Sequence, residues 1–557
     1  MKLNLKEKLF FLGIFLLAGL LRFYSLNWDQ GFHLHPDERF LTMAANAMLL
    51  PHSFADYLNP AKSTFNPANV GFSFFVYGAF PLIFTKIVAL LSNNDTYSSF
   101  TLLGRILSGF SDLIIIILIF KTTFLFEKHY KLHKNIKFLA AFFYSIAVLP
   151  IQLSHFFAVD TFLNFFIFAS FYFITKYFFE KRIHLLLISA VFLGLAIASK
   201  ITAVFAIPLI ILMVLPDRFS KKLFSTQAIK KTSLLSLGFI VVCYLSLRFA
   251  DPYFFQSINI FNLKPNVIFI QNLNTLKNLS DPNIWYPPNL QWLHKMPVIF
   301  AAQNIVFFGL GIPLFLTSLA GVFIILIRFQ KTKLLLIFIW CVLLFLYQSI
   351  QITKTMRYFI IIYPFLAIFA GIGFYFVSRY VNKALNIFCF IAVLIWPLSF
   401  ISIYNKTHSR VEASNWIYQN IPDKSIILTE YWDDALPLSI TNQKKLYIIK
   451  EMPVFDYDTP EKWNKINSYL SQGDYLILSS NRGWGSIMQA PEKYPLMAKF
   501  YSDLFADKLQ YKKIKTFTSY PSLNNLGIPI EFNDDVAEEA FTVYDHPKVM
   551  IFKKLTK

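Results

Sequence analysis

FSFFVYGAFPLIFTKIVALL, residues 72–91, is nearly long and apolar enough to cross a bilayer, and whether it crosses decides which side every later segment faces. Pro81 and Lys86 lie in its middle, which fits an interfacial or re-entrant helix better than a span. The segments around it are unmistakable. The chain has 557 residues, 56% hydrophobic and only 15% charged, with 64 Phe, whereas soluble proteins carry about a quarter charged residues. Runs such as LIIIILIF, LLLISAVFLGLAIAS and IVVCYLSL recur to about residue 404. They mark the centres of candidate crossings, since a ~30 Å hydrocarbon core at 1.5 Å per residue takes about 20 residues.

Eleven spans are expected, near Leu9–Leu26, Leu102–Phe126, Phe138–Leu153, Thr161–Phe179, Leu185–Ser199, Ile201–Leu215, Thr232–Leu247, Ile305–Ile327, Leu334–Ile350, Phe359–Val377 and Ala384–Tyr404. Lys2, Lys6 and Lys8 precede the first as they would a signal peptide, but no small-x-small cleavage site follows, so a retained span is expected. If residues 72–91 stay on one side, the basic clusters fall together on the cytoplasmic face. These are Lys2/Lys6/Lys8, Lys128/Lys131/Lys134/Lys137, Lys181/Arg182, Arg218/Lys221/Lys222/Lys230/Lys231, Arg328/Lys331/Lys333 and Arg379/Lys383. This predicts a multi-pass protein of the cytoplasmic membrane with its amino terminus inside and its carboxyl terminus outside. The net charge of +20 then reflects loop bias and anionic lipid, not nucleic acid. Cys243, Cys341 and Cys389 sit inside apolar runs and read as small buried side chains without a disulfide framework.

From about Tyr404 the composition becomes that of a soluble protein, so two regions are expected: a membrane domain, 1–404, and an extracytoplasmic α/β domain, 405–557. In the second, SIILTE, KLYIIK, DYLILSS and FTVYD…KVMIFKK read as strands, and Arg410–Asn420, Glu461–Leu470 and Tyr494–Leu504 as helices.

The first external loop, 27–101, carries His35-Pro36-Asp37-Glu38-Arg39-Phe40. Carboxylates so near hydrocarbon are costly unless they meet water or a partner, which makes them candidates for catalysis. One could act on substrate as a general base while the other holds a second group; the alternative is a helix cap at Asp37. On the same outer face lie Asp160 and His155, a second acid and a histidine in QLSHFFAVDTFLNFF. So do Arg105, Lys200 and Arg357, basic residues against the inward bias of positive charge. Phosphate of a lipid is the anion they call for, with snorkelling to headgroups as the alternative. In the loop NIWYPPNLQWLHKMP, Trp285, Tyr286 and Trp292 can stack on a sugar or form an interfacial belt, and Glu430-Tyr431-Trp432-Asp433-Asp434 is an acidic-aromatic patch able to meet an acceptor.

At these residues the chain resembles the C-type (GT-C) membrane glycosyltransferases, in particular the dolichyl-phosphate-mannose-protein mannosyltransferase and aminoarabinose transferase superfamily. Asp37-Glu38 matches its acidic first-loop motif, Arg105 its arginine opening the second span, and Asp160 its acid in the second external turn. The resemblance implies Asp37 as general base, Glu38 as the residue that positions acceptor, and Arg105 as a carrier-phosphate ligand, joined by Lys200 and Arg357. It implies an inverting transfer of sugar from a polyprenyl-phosphate donor to a hydroxyl of a protein or of an envelope glycan or lipid. No cofactor is required by it; Mg or Mn held by Asp37, Glu38 and Asp160 is the alternative, as in oligosaccharyltransferases of the broader fold. His155 stands where the mannosyltransferases usually have arginine, and the lysine-proline-proline signature of aminoarabinose transferases is absent, Asn66-Pro67 being only an echo. Two other functions compete: a lipid-linked glycan transporter without transfer chemistry, and an oligosaccharide ligase with a lipid-diphosphate donor. A transporter needs a polar path, and span interiors are expected to be apolar.

Overall fold

The computed structural model describes residues 3–215 and 226–555. Lys2, Arg218, Lys221 and Lys222 of the basic clusters lie outside them. The apolar runs become helices with ends within a few residues of expectation, among them Leu5–Phe23, Tyr97–Tyr130, Val159–Glu180, Ile183–Ser199 and Lys333–Ser349. Among the described residues five helices are long and apolar enough to cross a membrane, or up to seven if each of two bent pairs is one span. The count of eleven is therefore not reached on length and composition. Ile201–Ala206 is a 3-10 turn followed by the short helix Ile207–Val214. In residues 72–91 only Phe80–Leu91 is helical, and Lys86 is buried there, bonded to Asp95 at 2.7 Å.

The expected span Ile305–Ile327 is broken. Ile299–Leu310 and Ile312–Arg328 meet at a bend of 112°. Gly311 occupies φ 80, ψ 146, a conformation that only glycine takes readily, and the Trp396 ring fills the space a side chain there would need. Beyond the bend, Ile312–Arg328 packs closely on Tyr363–Val377: a Cβ on Gly321 would strike the Phe369 carbonyl, and one on Gly373 the Thr317 carbonyl. Small residues that let two backbones approach supply the packing contacts that hold helices together where lipid removes the hydrophobic drive.

Span interiors are not wholly apolar. Arg22 and Asp112, both fully buried, pair at 2.6 Å, with Tyr144 donating to Asp112 at 2.6 Å and Asn164 to Tyr144 at 3.0 Å. Arg22 also donates to the Ser145 carbonyl at 2.8 Å. The network lies between helices far apart in sequence; its charges pair with each other, and the Asn164 Oδ1 is left without a partner among the described residues. Of the cysteines, only Cys341 is buried; Cys243 and Cys389 are partly exposed.

The carboxyl-terminal region holds a five-stranded mixed sheet, β1 Ile426–Glu430, β2 Ile448–Met452, β3 Tyr475–Leu478, β4 Tyr511–Phe517 and β5 Val549–Lys554, in the order β2-β1-β3-β5-β4. β1 pairs in parallel with β2 and β3, and β5 is antiparallel to β3 and β4. Helices Pro460–Gln472 and Pro495–Phe505 pack on one face, and Ser409–Asn420 covers the other. β4 escapes sequence reading because its edge carries Lys512, Lys513 and Lys515, the charges that guard an open edge.

FTVYD is not a strand. It follows Glu538 in a segment that leaves the sheet and enters the membrane half, where Phe541 packs on Phe308 and Phe400. Gln152 donates to the Phe541 carbonyl at 2.8 Å and to Asp545 at 3.0 Å, and Tyr404 donates to Asp545 at 2.9 Å. His546, fully buried, sits between Asp545 at 2.5 Å and Asp534 at 2.9 Å. Burial alone would lower its pKa, but the two carboxylates outweigh that and raise it from 6.5 to about 10. Because the folded value exceeds the unfolded one, the stabilisation is fully present below about pH 6.5 and lost as pH rises through about 10. The thermal midpoint of wild type should exceed that of His546→Gln most near pH 6, and the difference should shrink between pH 6.5 and 10. A gap that widens with pH would contradict this placement of charge.

Candidate active-site cavity

The HPDERF motif opens helix Pro36–Ala47, but the cap is His35, whose ring accepts from the Glu38 N–H at 3.4 Å; Asp37 is not the cap. Pro36 occupies the first helical position, where its missing N–H costs nothing. Asp37 and Glu38 then project about 100° apart, and their partners differ accordingly.

Glu38 turns inward. Arg105, fully buried, donates from Nε and one terminal nitrogen to both Glu38 oxygens at 2.8 and 2.7 Å. It also donates to Asp29 at 3.1 and 2.8 Å and to the Leu26 carbonyl at 2.6 Å, with Trp28 stacked 4.7 Å away. All five N–H groups of the guanidinium are occupied. Glu38 accepts a further bond from the Phe157 N–H at 2.5 Å and is itself fully buried. Arg105 and Glu38, expected on carrier phosphate and on acceptor, are here engaged with each other and do not line the Asp37 cavity; they tie the first loop to helix Tyr97–Tyr130 and to the turn at Phe157. Burial alone would raise the Asp29 carboxyl; Arg105 and the Gly31 and Leu34 N–H groups outweigh it and hold Asp29 below its usual range. Asp29 carried no signal in sequence.

Two more expected site residues are engaged elsewhere. The His155 ring nitrogens face the carbonyls of Ile151 at 2.8 Å and Tyr24 at 2.9 Å, and the ring stacks on Tyr404 at 3.9 Å, so it packs helices and does not line the Asp37 cavity. Asp160, in the first turn of Val159–Glu180, makes no cap bond and instead pairs with Lys200 at 2.7 Å. Lys200 stands 4.4 Å over the Tyr358 ring, beside Arg357, so this pair flanks the site.

Asp37 faces outward. Arg357 donates to it at 2.5 Å, and both side chains remain about a fifth exposed, at 21% and 22%. They open onto a cavity of about 730 Å³ between the bundle, the loop that carries Tyr286 and Trp292, and the carboxyl-terminal region. Burial pushes the Asp37 carboxyl up, but Arg357 in contact with it, with help from His35 and Tyr77, holds it well below the carboxylate range. Tyr286 and Trp292 contribute to the wall; Trp285 does not, donating to the Phe455 carbonyl at 2.7 Å and meeting Trp432 edge-on.

The rest of the wall comes from the carboxyl-terminal region. Arg482 pairs with Glu539 at 2.7 Å, and Tyr544 lines the same cavity as this pair and Asp37, its hydroxyl pushed up to about 12 by burial. The acidic-aromatic patch bridges the halves: Asp434 accepts from Arg39 at 3.0 Å and from Arg410 at 2.8 Å, and Asp433 accepts from Arg410 at 2.6 Å. Glu430 faces away, bonded to Tyr501. Reading FTVYD as a strand hid Tyr544 and Glu539. A usable signal existed for Arg482: β1 and β3 are parallel neighbours, so the loops after them share an edge, which is where α/β sheets bind ligands.

Asp37, Glu38 and Asp160 each face a different cation and do not converge, and among the described residues no group of three or more His, Cys, Asp or Glu is placed to hold a metal ion. At the Gly311 bend an apolar groove of about 800 Å³ is lined by Ile299, Phe307, Phe308, Ile312 and Trp396. A smaller cavity of about 370 Å³ adjoins both: Lys295 and Phe300 are common to it and the groove, Gln291 and Glu539 to it and the Asp37 cavity.

Residues 81–245 match the family described as dolichyl-phosphate-mannose-protein mannosyltransferase. No curated protein matches the chain. Among solved structures, the oligosaccharyltransferase of Archaeoglobus fulgidus, tethered with an acceptor peptide, superposes with a TM-score of 0.50 at 12% identity over 98% of this chain and 89% of that one. The fold is that of a C-type membrane glycosyltransferase. ArnT of Cupriavidus metallidurans is similar at a TM-score of 0.46 and 12% identity, over 98% and 97% of the two chains, and its form bound to undecaprenyl phosphate at 0.42 and 13%, over 87% and 95%. The resemblance to the mannosyltransferase superfamily is borne out over residues 81–245, a stretch that does not include Asp37-Glu38, on a chain built as an integral membrane protein.

Proposed function

We propose that the chain transfers a sugar from a polyprenyl-phosphate carrier to an acceptor hydroxyl on the extracytoplasmic face, with inversion at the anomeric carbon. The single observation that carries this reading is the Asp37–Arg357 pair on the wall of a large cavity: a carboxylate that can take a proton beside a guanidinium that can hold phosphate. The partial match to the mannosyltransferase family supports the donor class. The apolar groove beside the cavity suits a prenyl chain whose headgroup lies among the arginines.

In this scheme the acceptor oxygen attacks the anomeric carbon, the carbon–oxygen bond to phosphate breaks, and the acceptor proton passes to Asp37. The departing phosphate gains negative charge, which Arg357 stabilises more strongly than it stabilises the bound donor. Arg357 also sets the timing. In the resting site it depresses Asp37 and makes it a weak base; phosphate arriving at the guanidinium draws that charge away and raises the proton affinity of Asp37. Positive charge is supplied by arginine, so turnover should survive chelation.

The test is the purified protein in liposomes with polyprenyl-phosphate-linked sugars and an extract of envelope glycans and proteins. Acceptor-dependent release of free polyprenyl phosphate, unaffected by EDTA, is expected. Donor that crosses the bilayer uncleaved, with or without acceptor, would instead establish a transporter, and activity only with diphosphate donors would establish a ligase. Loss of turnover on chelation, restored by Mg or Mn, would overturn the metal-free scheme.

A further inference from the structure

The cavity contains a second arginine to which this scheme gives no task. Arg482 follows β3 directly, outside the membrane bundle. Its Nε donates to Glu539 at 2.7 Å and one terminal nitrogen donates to the Trp432 carbonyl at 3.2 Å, while the other terminal nitrogen makes no hydrogen bond among the described residues. Arg357 is held in the same fashion, with one terminal nitrogen on Asp37 at 2.5 Å and its buried Nε without a partner. Both side chains are open to the cavity to the same extent, 22% and 21%. Both line the same cavity as Tyr544 and Tyr286, so the two guanidinium groups border one volume.

Each arginine thus carries one carboxylate and keeps part of its fork unused. This suits a site that holds a charge-balanced resting state and opens both forks to a larger anion. A phosphate monoanion presents several acceptor oxygens, and guanidinium meets them in bidentate fashion. We infer that Arg482 is the second anchor of the carrier phosphate, so that the donor bridges the membrane bundle and the carboxyl-terminal region. This rests on the reading of the donor as a polyprenyl-phosphate sugar. When the bond from anomeric carbon to phosphate oxygen breaks, its electron pair stays on phosphate, whose charge passes from one towards two. A second guanidinium is then worth more to the leaving group than to the bound donor. Glu539 keeps Arg482 aimed at the cavity between turnovers, and the carboxyl-terminal region becomes part of the active site.

Binding of undecaprenyl phosphate and of undecaprenol to the full chain in nanodiscs separates the headgroup from the tail. Wild type should prefer the phosphate, and Arg482→Gln should lose roughly 10-fold or more of that preference, the worth of a hydrogen bond to a charged group. Glu539→Gln frees the fork and should raise the preference. Wild-type preference in Arg482→Gln, with wild type itself selective, overturns the role of Arg482 and leaves the donor reading standing. A wild type that binds phosphate and alcohol alike overturns both. Should Arg482→Gln lose its cooperative thermal unfolding, Glu539→Gln decides alone: unchanged or weaker selectivity counts against the inference.

Discussion

Asp37→Asn should lower sugar transfer by about 10²–10⁴-fold, the usual worth of a positioned general base, with donor affinity retained or improved. Asparagine is nearly the same size and still accepts a hydrogen bond from Arg357, but it cannot take the acceptor proton. Neutralising Asp37 also releases Arg357 from its ion pair at 2.5 Å, so its guanidinium meets phosphate with less competition. The signature is therefore a fall in kcat with KM for the donor unchanged or lower. The Asp37–Arg357 pair is partly open to the cavity and its loss is screened by water, so the variant should unfold within a few degrees of wild type. Asp37→Glu keeps the base but moves it by a methylene and should fall between the two. Turnover of Asp37→Asn near the wild-type rate would remove Asp37 as base.

How much of this was legible in the sequence follows from the range over which each signal acts. Apolar runs are local, and helices appear where runs such as residues 113–120 and 185–199 predict them. The break at Gly311 was not legible, because it requires Trp396 from another helix to occupy the space beside glycine. Asp37 and Glu38 stand out as charges next to hydrocarbon, yet sequence cannot say which of two adjacent carboxylates faces inward. That is decided by His35 as the cap and by Arg105 waiting on a helix packed behind. Positive charge against the inward bias marked Arg105, Lys200 and Arg357 alike; the same signal arises from a buried ion pair, a flanking pair and a cavity wall. Arg482, Glu539 and Tyr544 come from a region with ordinary soluble composition, where a charged residue is no anomaly. Only the return of residues 538–546 from the sheet into the bundle makes them neighbours of Asp37.

Arg105 gives the sharpest separation between a phosphate ligand and a structural residue. Arg105→Gln should cost on the order of 3–5 kcal/mol, the penalty for breaking a buried pair by removing one partner, against total stabilities of about 5–15 kcal/mol. Two carboxylates, Asp29 and Glu38, would be left almost wholly buried without their cation, and the Leu26 carbonyl without its donor. Most of the variant should fail to accumulate as folded protein, and what survives in detergent should melt well below wild type. Arg105→Lys should fare little better, because an ammonium has three donors where this site uses five N–H groups. A phosphate ligand behaves differently: its loss leaves a stable protein with a raised KM for the donor. The double variant Arg105→Met with Glu38→Met sharpens the contrast, since it removes one of the stranded carboxylates along with the cation. Neighbours in one network are not additive, so it should recover part of the stability that Arg105→Met alone loses, without altering affinity for undecaprenyl phosphate. A well-folded Arg105→Gln with weakened phosphate binding would return Arg105 to the donor site and require that its bonds to Asp29 and Glu38 open when substrate arrives.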